Sequence, residues 1–462
     1  MKALVAYATL VACLAVFGAT ALAQDSLATQ KLKARGHELR EDIVKITDTI
    51  YTSVGHTVST VSMIEGDQAL IIVDTGFAPE HAKKIMAEFR KISDKPVGAI
   101  ILTHSHADHV GGAPVFLAQG QDIQIWGRSN FNSENSRLKA VLKAGNIRGA
   151  RQGGFKLPPE KRINNGIAPA MYPFGKPGEK KKKGAFLMPD QVAPNRTFDQ
   201  ARTAIELFGV KMELVAAPGE TADALYVWLP DQKVLFAGDN FYASFPNLYA
   251  IRGSGYRDVR DWADAVDKMA REGAHYLVPG HTRPIFGQEK VAQALGDYRD
   301  AIRYVYDKTI EGINEGMTPR RLIETVKLPP ALADKDYLGE YYGNVAWSVR
   351  SIFSGHLGWF DGNPVNLAPM TLKEEASHMA ALAGGADQLL KKAEAALAEG
   401  NDKWAAKLAD YALNLNPTDT RPMRIKAQAL DSIGEKVQSA TGRNYILTVA
   451  QELRQQADRH EN

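Results

Sequence analysis

Thr103-His104-Ser105-His106-Ala107-Asp108-His109 is the stretch on which the reading of this chain turns. Three of the eleven histidines and one carboxylate fall within it, directly after the apolar run Gly98–Leu102. An apolar run of that kind predicts a buried strand, so the cluster stands where a strand ends and a loop or helix begins. With the chain extended there, His104 and His106 project the same way. Asp108 and His109 lie on the turn that follows and reach a second, neighbouring point. The arrangement suits two cations side by side, held by nitrogen and oxygen donors of the type zinc accepts.

At 462 residues the chain is too long for one ordinary core and predicts two or three domains. Its hydrophobic share of 45% and charged share of 24% are those of a soluble globular protein, and a net charge of +3 gives no global case for nucleic acid. The run Lys180–Lys183 sits among Gly and Pro residues and reads as a solvated loop. Met1-Lys2 and the apolar stretch closing at Ala21-Leu22-Ala23 read as a secretory signal over 1–23, not a membrane span, which places the chain in the periplasm or outside the cell. The only cysteine, Cys13, lies inside that segment. The remainder therefore has no disulfide and no thiolate, and every metal ligand must come from His, Asp or Glu.

Up to about residue 287 the pattern alternates. Strand-like runs are Val58–Ile64, Ala69–Asp74, Ala99–Thr103, Ile123–Trp126, Met212–Ala217, Leu225–Leu229, Val234–Ala237 and Tyr276–Val278. Helical stretches such as Pro79–Ile92 and Arg257–Arg271 intervene, which argues a layered α/β domain with its chemistry at strand ends. Residues 145 to 200, rich in Gly, Pro, Lys and Arg, read as a long irregular insertion covering the site. From Val291 onward helical periodicity dominates. Ala393–Gly400 and Trp404–Leu415 form one helical hairpin, similar to a single tetratricopeptide unit, whose apolar face must be buried on another helix or a second subunit. The expected division is 1–23 signal, 24–310 catalytic and 311–462 helical.

The order His-x-His-x-Asp-His followed by Val110-Gly111-Gly112 resembles the signature of the metallo-β-lactamase superfamily. The resemblance implies a four-layer αββα sandwich with a dinuclear site between its sheets. That family's usual pattern goes on to a His just before a Pro-Gly pair. Here Pro218-Gly219 is present, the His position is Ala216, and Glu220 follows at once. Asp239 comes nineteen residues later, and His281 closes Val278-Pro279-Gly280-His281. This departure resembles the alkylsulfatase branch, in which a Glu replaces the third His. Asn247-Leu248-Tyr249-Ala250-Ile251-Arg252-Gly253 with Arg257-Asp258 is similar to that branch's sulfate-binding segment. Tyr341-Tyr342-Gly343 and Gly358-Trp359-Phe360-Asp361-Gly362-Asn363-Pro364 are similar to the start of its all-α dimerisation domain. Three departures are visible. Trp347 stands in a stretch where the family usually has a histidine, Asp239 is shorter than the usual Glu, and the sequence stops where members usually continue into a sterol-carrier-like domain.

The resemblance implies that His104, His106 and Glu220 hold one Zn2+ and that Asp108, His109 and His281 hold a second, with Asp239 bridging or supporting the pair. Two cations sharing those ligands leave open positions for a bridging water, whose pKa they lower so that hydroxide forms at working pH. Arg252 would oppose the charge of a sulfate ester with its planar fork. Asn247 and Tyr249 complete the expected substrate-side set, and Asp108 is expected to act there as well as on the metal. Asp74, which ends a strand, is expected to orient a ligand histidine rather than to bind metal. His37, His56, His81, His275, His356 and His378 match no ligand position. Phe155, Met171, Phe174 and Phe186 are expected to line an alkyl groove. The expected activity is hydrolysis of a small-molecule alkyl sulfate to alcohol and inorganic sulfate, by a homodimer joined through the helical half. The rival readings are a phosphodiester, lactone or β-lactam substrate on the same metals, or a non-enzymatic scaffold.

Overall fold

A computed structural model of the protein describes residues 25–171 and 192–461. The expected leader with Cys13, the lysine run 180–183, Phe174 and Phe186 lie outside the described residues.

After a short N-terminal helix α1 (Leu27–Ala34), two sheets face each other. The first contains β1 (Asp42–Lys45), β2 (Ile50–Val54), β3 (Val61–Glu65), β4 (Leu70–Val73), β5 (Val97–Ile101), β6 (Gln124–Arg128) and β7 (Arg196–Phe198). Its spatial order follows the chain, antiparallel up to β4 and parallel from there on. The second contains β8 (Arg202–Leu207), β9 (Val210–Ala216), β10 (Leu225–Leu229), β11 (Val234–Phe236), β12 (Tyr276–Val278) and β13 (Ile285–Phe286) in the order β13-β12-β11-β10-β9-β8. Its one parallel pair is β11–β12.

Parallel neighbours need crossovers, and helices supply them. α2 (Pro79–Phe89) joins β4 to β5, α3 (Ala107–Val110) and α4 (Ala113–Leu117) lead to β6, and α5 (Asn135–Ala140) and α6 (Leu142–Gln152) lie on the way to β7. α7 (Val259–Arg271) joins β11 to β12. The two-residue period of β4 sorts its side chains. Ile71 and Val73 pack between the sheets against Val227 and Phe236, while Leu70 and Ile72 pack outward against Ile85 and Phe89 of α2. On the far side, Tyr226, Trp228 and Leu235 of the second sheet bury Trp262 and Val266 of α7 and Tyr298 of α8 (Gln288–Asn314). The result is the αββα sandwich that the resemblance implied.

The helix α7 forms because Asp258 caps it, accepting from the Arg260 and Asp261 N–H groups, and because Val259, Trp262, Ala263, Val266 and Met269 recur on one face. α8 is a single helix, so the expected boundary at 310/311 falls inside it. The core around α7 and α8 continues into α9 (Pro319–Thr325) through Leu322. Beyond α10 (Pro330–Ala333) it takes in Val349 and Phe353 of α11 (Val345–Leu357).

The chain closes with α12 (Leu372–Ala383), α13 (Ala386–Ala398), α14 (Asp402–Leu415), α15 (Thr420–Glu435) and α16 (Ala440–Glu461). The hairpin expected from the sequence is α13–α14, and its apolar face is buried on α12 and α15 of the same chain. One expectation needs correcting. The stretch read as irregular from residue 145 holds most of α6. Its glycines are not loop signals: Gly145, Gly149 and Ala150 are buried, and α6 packs on α16. Small residues let two helices approach closely, so the same composition serves helix contact instead of a turn.

Trp262 carries much of the outer core and donates its indole N–H to the Asn240 carbonyl at 3.1 Å. Trp262→Ala is expected to destabilise the fold by about 3–5 kcal/mol in chemical denaturation.

Candidate metal centre

The cluster lies where strands of both sheets end. His104 follows β5, and α3 begins directly after His106, so Asp108 and His109 stand in its single turn. That turn sits close to the segment after β4 because Gly111 and Gly112 lack side chains. A Cβ on either would lie 2.0 Å from the carbonyl oxygen of Phe77 or Thr75. Asp239 follows β11, and His281 follows β12.

Two groups of donor atoms result, each with its atoms within 4.8 Å of one another: His104, His106 and Asp239, and Asp108, His109 and His281. Asp239 stands between them. Its carboxylate is 3.7 Å from His104 Nε2, 3.1 Å from His109 Nε2 and 3.1 Å from His281 Nε2. Glu220 is placed a step away, with Oε1 4.0 Å from His106 Nδ1 and 2.8 Å from Arg257 Nη1. Asp239 therefore groups with the two histidines to which the resemblance assigned Glu220.

The residues fit a pair of cations. The Nε2 atom of His104 is buried without a hydrogen-bond partner, and His109 Nε2 and Asp239 Oδ1, though 3.1 Å apart, do not meet in hydrogen-bond geometry. Buried polar atoms are nearly always partnered, and three converging orphans on an all-N/O set are what a cation site leaves. The rings are also oriented for it. Asp74 Oδ2 accepts from His109 Nδ1 at 2.7 Å, and the Val58 carbonyl accepts from His281 Nδ1 at 2.8 Å, so both Nε2 atoms point inward. Asp74 is fixed in turn by the N–H and hydroxyl of Thr103, both at 2.8 Å. It is an orienting carboxylate, as expected.

Burial disfavours charge on His109, yet Asp239, Asp74 and Asp108 outweigh it and hold that imidazole well above its ordinary pKa. Burial likewise opposes ionisation of Asp239, but His109, His281 and His104 hold its carboxyl well below the usual range. Burial pushes Glu220 up to about 7 in spite of Arg257.

A cavity opens over the cluster. Its polar lining includes His106, Asp108, Glu220, Asp239, Arg252 and Tyr342, and its apolar lining includes Val58, Phe77, Phe155, Ile167 and Met171. Arg252 is thereby brought to the site, its backbone N–H donating to Gln152 Oε1 at 3.1 Å. Asn247 is buried, and its backbone is fixed by the Tyr242 hydroxyl and the Arg257 guanidinium. Tyr249 is corrected. It does not line this cavity but a separate groove with Ile251, Tyr256 and Trp347. Leu248, Ala250 and Arg252 are buried while Tyr249 and Ile251 are partly exposed, and this alternation turns Tyr249 outward.

Sequence reasoning missed Tyr342 and Gln152 as site residues and the pairing of Arg257 with Glu220. Tyr342 stood in a quoted motif, but nothing in its spacing connects it to residue 104. Its backbone is pinned over the cavity by three hydroxyls: its N–H donates to Ser244 Oγ at 3.0 Å, and its carbonyl accepts from Ser439 at 3.0 Å and Thr441 at 3.1 Å.

Comparisons with known proteins place the chain in a family. Residues 54–281 match the family model of the metallo-beta-lactamase superfamily, and residues 318–456 match that of alkyl sulfatase dimerisation. A linear primary-alkylsulfatase of a Pseudomonas species is 38% identical over 404 residues, covering 85% of this chain and 73% of that protein. An alkyl/aryl-sulfatase of Saccharomyces cerevisiae is 30% identical over 428 residues, covering 89% of this chain and 64% of that protein. The solved structure of a stereoselective inverting sec-alkylsulfatase from Pseudomonas superposes with a TM-score of 0.82 at 26% identity, covering 92% of this chain and 67% of that one.

Asp74→Ala is expected to weaken metal binding by about 10–100-fold through His109 while leaving the fold intact, as read by metal titration and circular dichroism. Because His109 holds its proton above the ordinary imidazole range, metal uptake must displace protons. Affinity should therefore fall as pH drops, and calorimetry in buffers of different ionisation heat should register proton release.

Proposed function

The chain belongs to the alkylsulfatases of the metallo-β-lactamase superfamily, and on that premise we propose that it hydrolyses alkyl sulfate esters to an alcohol and inorganic sulfate. We propose also that it does so as a secreted or periplasmic homodimer with two zinc ions per chain. The observation that carries the reading is the meeting, in one cavity, of a two-group N/O donor set, a buried guanidinium and an apolar wall.

His104, His106 and Asp239 would hold one cation and Asp108, His109 and His281 the other, with Glu220 in reach through His106. When bound, two such cations supply Lewis acidity and bring the pKa of water toward neutrality. The chain's own residues do the rest. Arg252 meets the anionic head with a planar fork, and Val58, Phe77, Phe155, Ile167 and Met171 keep water from the chain that follows it. Arg257 fixes the direction of Glu220. Tyr342 supplies the proton that the departing oxygen needs. Burial and the neighbouring Glu220 push its phenol pKa up, so it keeps that proton at neutral pH. With Trp347 lining the outer groove, Tyr342 is the phenolic donor at this cavity among the described residues.

Sulfate release from dodecyl sulfate, lost on chelation and restored by zinc, tests the reading; no release from fully metallated protein would sink it. Asp108→Ala and His281→Ala are expected to abolish turnover and lower metal content. Arg252→Ala should keep the metals and raise KM. Tyr342→Phe should keep metals and KM and lower kcat by about 10²–10⁴-fold.

A further inference from the structure

The loop that carries Arg252 has two faces. One is the wall of the metal cavity. The other, formed by Tyr249, Ile251, Ser254 and Tyr256, is one side of an open groove of about 480 Å³. The opposite side is α11, through Trp347 and Arg350. Loop and helix touch at Gly355, where a Cβ would meet the Tyr256 ring at 2.2 Å.

Directly beyond this groove the chain presents an apolar strap to solvent. Leu357 ends α11, Gly358 turns with φ 78°, and residues 359–371 run to the capping box that starts α12. Trp359 is 76% exposed, Val365 71% and Leu372 68%, and Leu367 and Met370 are also exposed. Monomeric proteins rarely expose so continuous an apolar run, and such patches mark interfaces. The strap is not a slack linker. Asp361 accepts from the Asn363 N–H at 3.0 Å and the Asn366 amide at 2.7 Å, and Asn363 accepts from the Val365 N–H at 3.3 Å. These turns hold the apolar side chains outward in one shape, which lowers the entropy lost on docking.

We propose that the groove behind the Arg252 loop receives the strap of a second copy of this chain, so that dimer formation braces the loop that positions Arg252. The proposal deepens the homodimer reading above and rests on it. Three observations select a second copy as the occupant. The alkyl sulfatase dimerisation model covers both strap and α11. The one charge between Leu357 and Met370 is Asp361, and the one charge lining the groove is Arg350, so the surfaces are complementary. The strap also leaves the helix that walls the groove, so a two-fold axis near α11 places each strap on the other copy's groove in a self-complementary contact.

The test uses the full chain with Cys13 changed to serine, so that introduced thiols are alone. Ser254→Cys with Val365→Cys is expected to give a disulfide-linked band of twice the chain mass on a non-reducing gel, with neither single change doing so. Trp359→Asp with Leu367→Asp, both at exposed positions, should halve the mass in solution. It should also leave metal content and circular dichroism unchanged and raise KM for alkyl sulfate by about 5-fold or more. A parent chain of single mass at micromolar concentration overturns the proposal. So does a dimer that survives the strap substitutions, or a disulfide formed only within one chain. If the mass and cross-linking results hold while no variant releases sulfate, the interface stands and the activity reading is what fails.

Discussion

The structure depends on a buried carboxylate, that of Asp239, lying within 3.7 Å of three imidazoles from both sheets. No such arrangement is stable on its own. A buried carboxylate has to be neutralised, and its histidines have to be kept from turning elsewhere for partners. The sandwich meets both needs by ending β5, β11 and β12 at the same edge. Thr60 ties that edge across the sheets, its N–H donating to the Gly280 carbonyl at 2.8 Å and its hydroxyl to Pro279 at 2.7 Å. Gly280 is required there, since a Cβ would come within 2.2 Å of Asp239.

Orientation is imposed from outside the cluster. Asp74 follows β4 with φ 57°, a left-handed conformation that Asp tolerates better than most residues. From there one carboxylate accepts from Thr103 and from His109. The strain is local and the return is a fixed ring direction at the metal site. His281 is held the same way by a backbone carbonyl.

The helical half belongs to the site. α16 packs on α6, Thr441 and Tyr342 line the cavity, and Arg443 pairs with Glu435 at 2.8 Å while its guanidinium also reaches the Lys161 carbonyl. The cavity is therefore completed by segments that lie far along the chain from His104. Anything that shifts the helical unit shifts the cavity wall.

The sequence by itself determined the layered α/β organisation, the 104–109 donor cluster and the strand-end position of Asp74, because these are local features that a linear chain displays, while the sandwich and the remaining donors followed from the family resemblance. β1, β2 and β8 escaped notice since their faces are half polar, and α6 did because helix-packing glycines look like loop residues. Only the tertiary structure decided where the two carboxylates stand, setting Asp239 among His104, His109 and His281 and pairing Glu220 with Arg257. It also turned Tyr249 away from the metals and brought Tyr342 to them. Such choices depend on where separate elements meet in space and which face a residue takes in a loop without period, and neither is written in the spacing of residues along the chain.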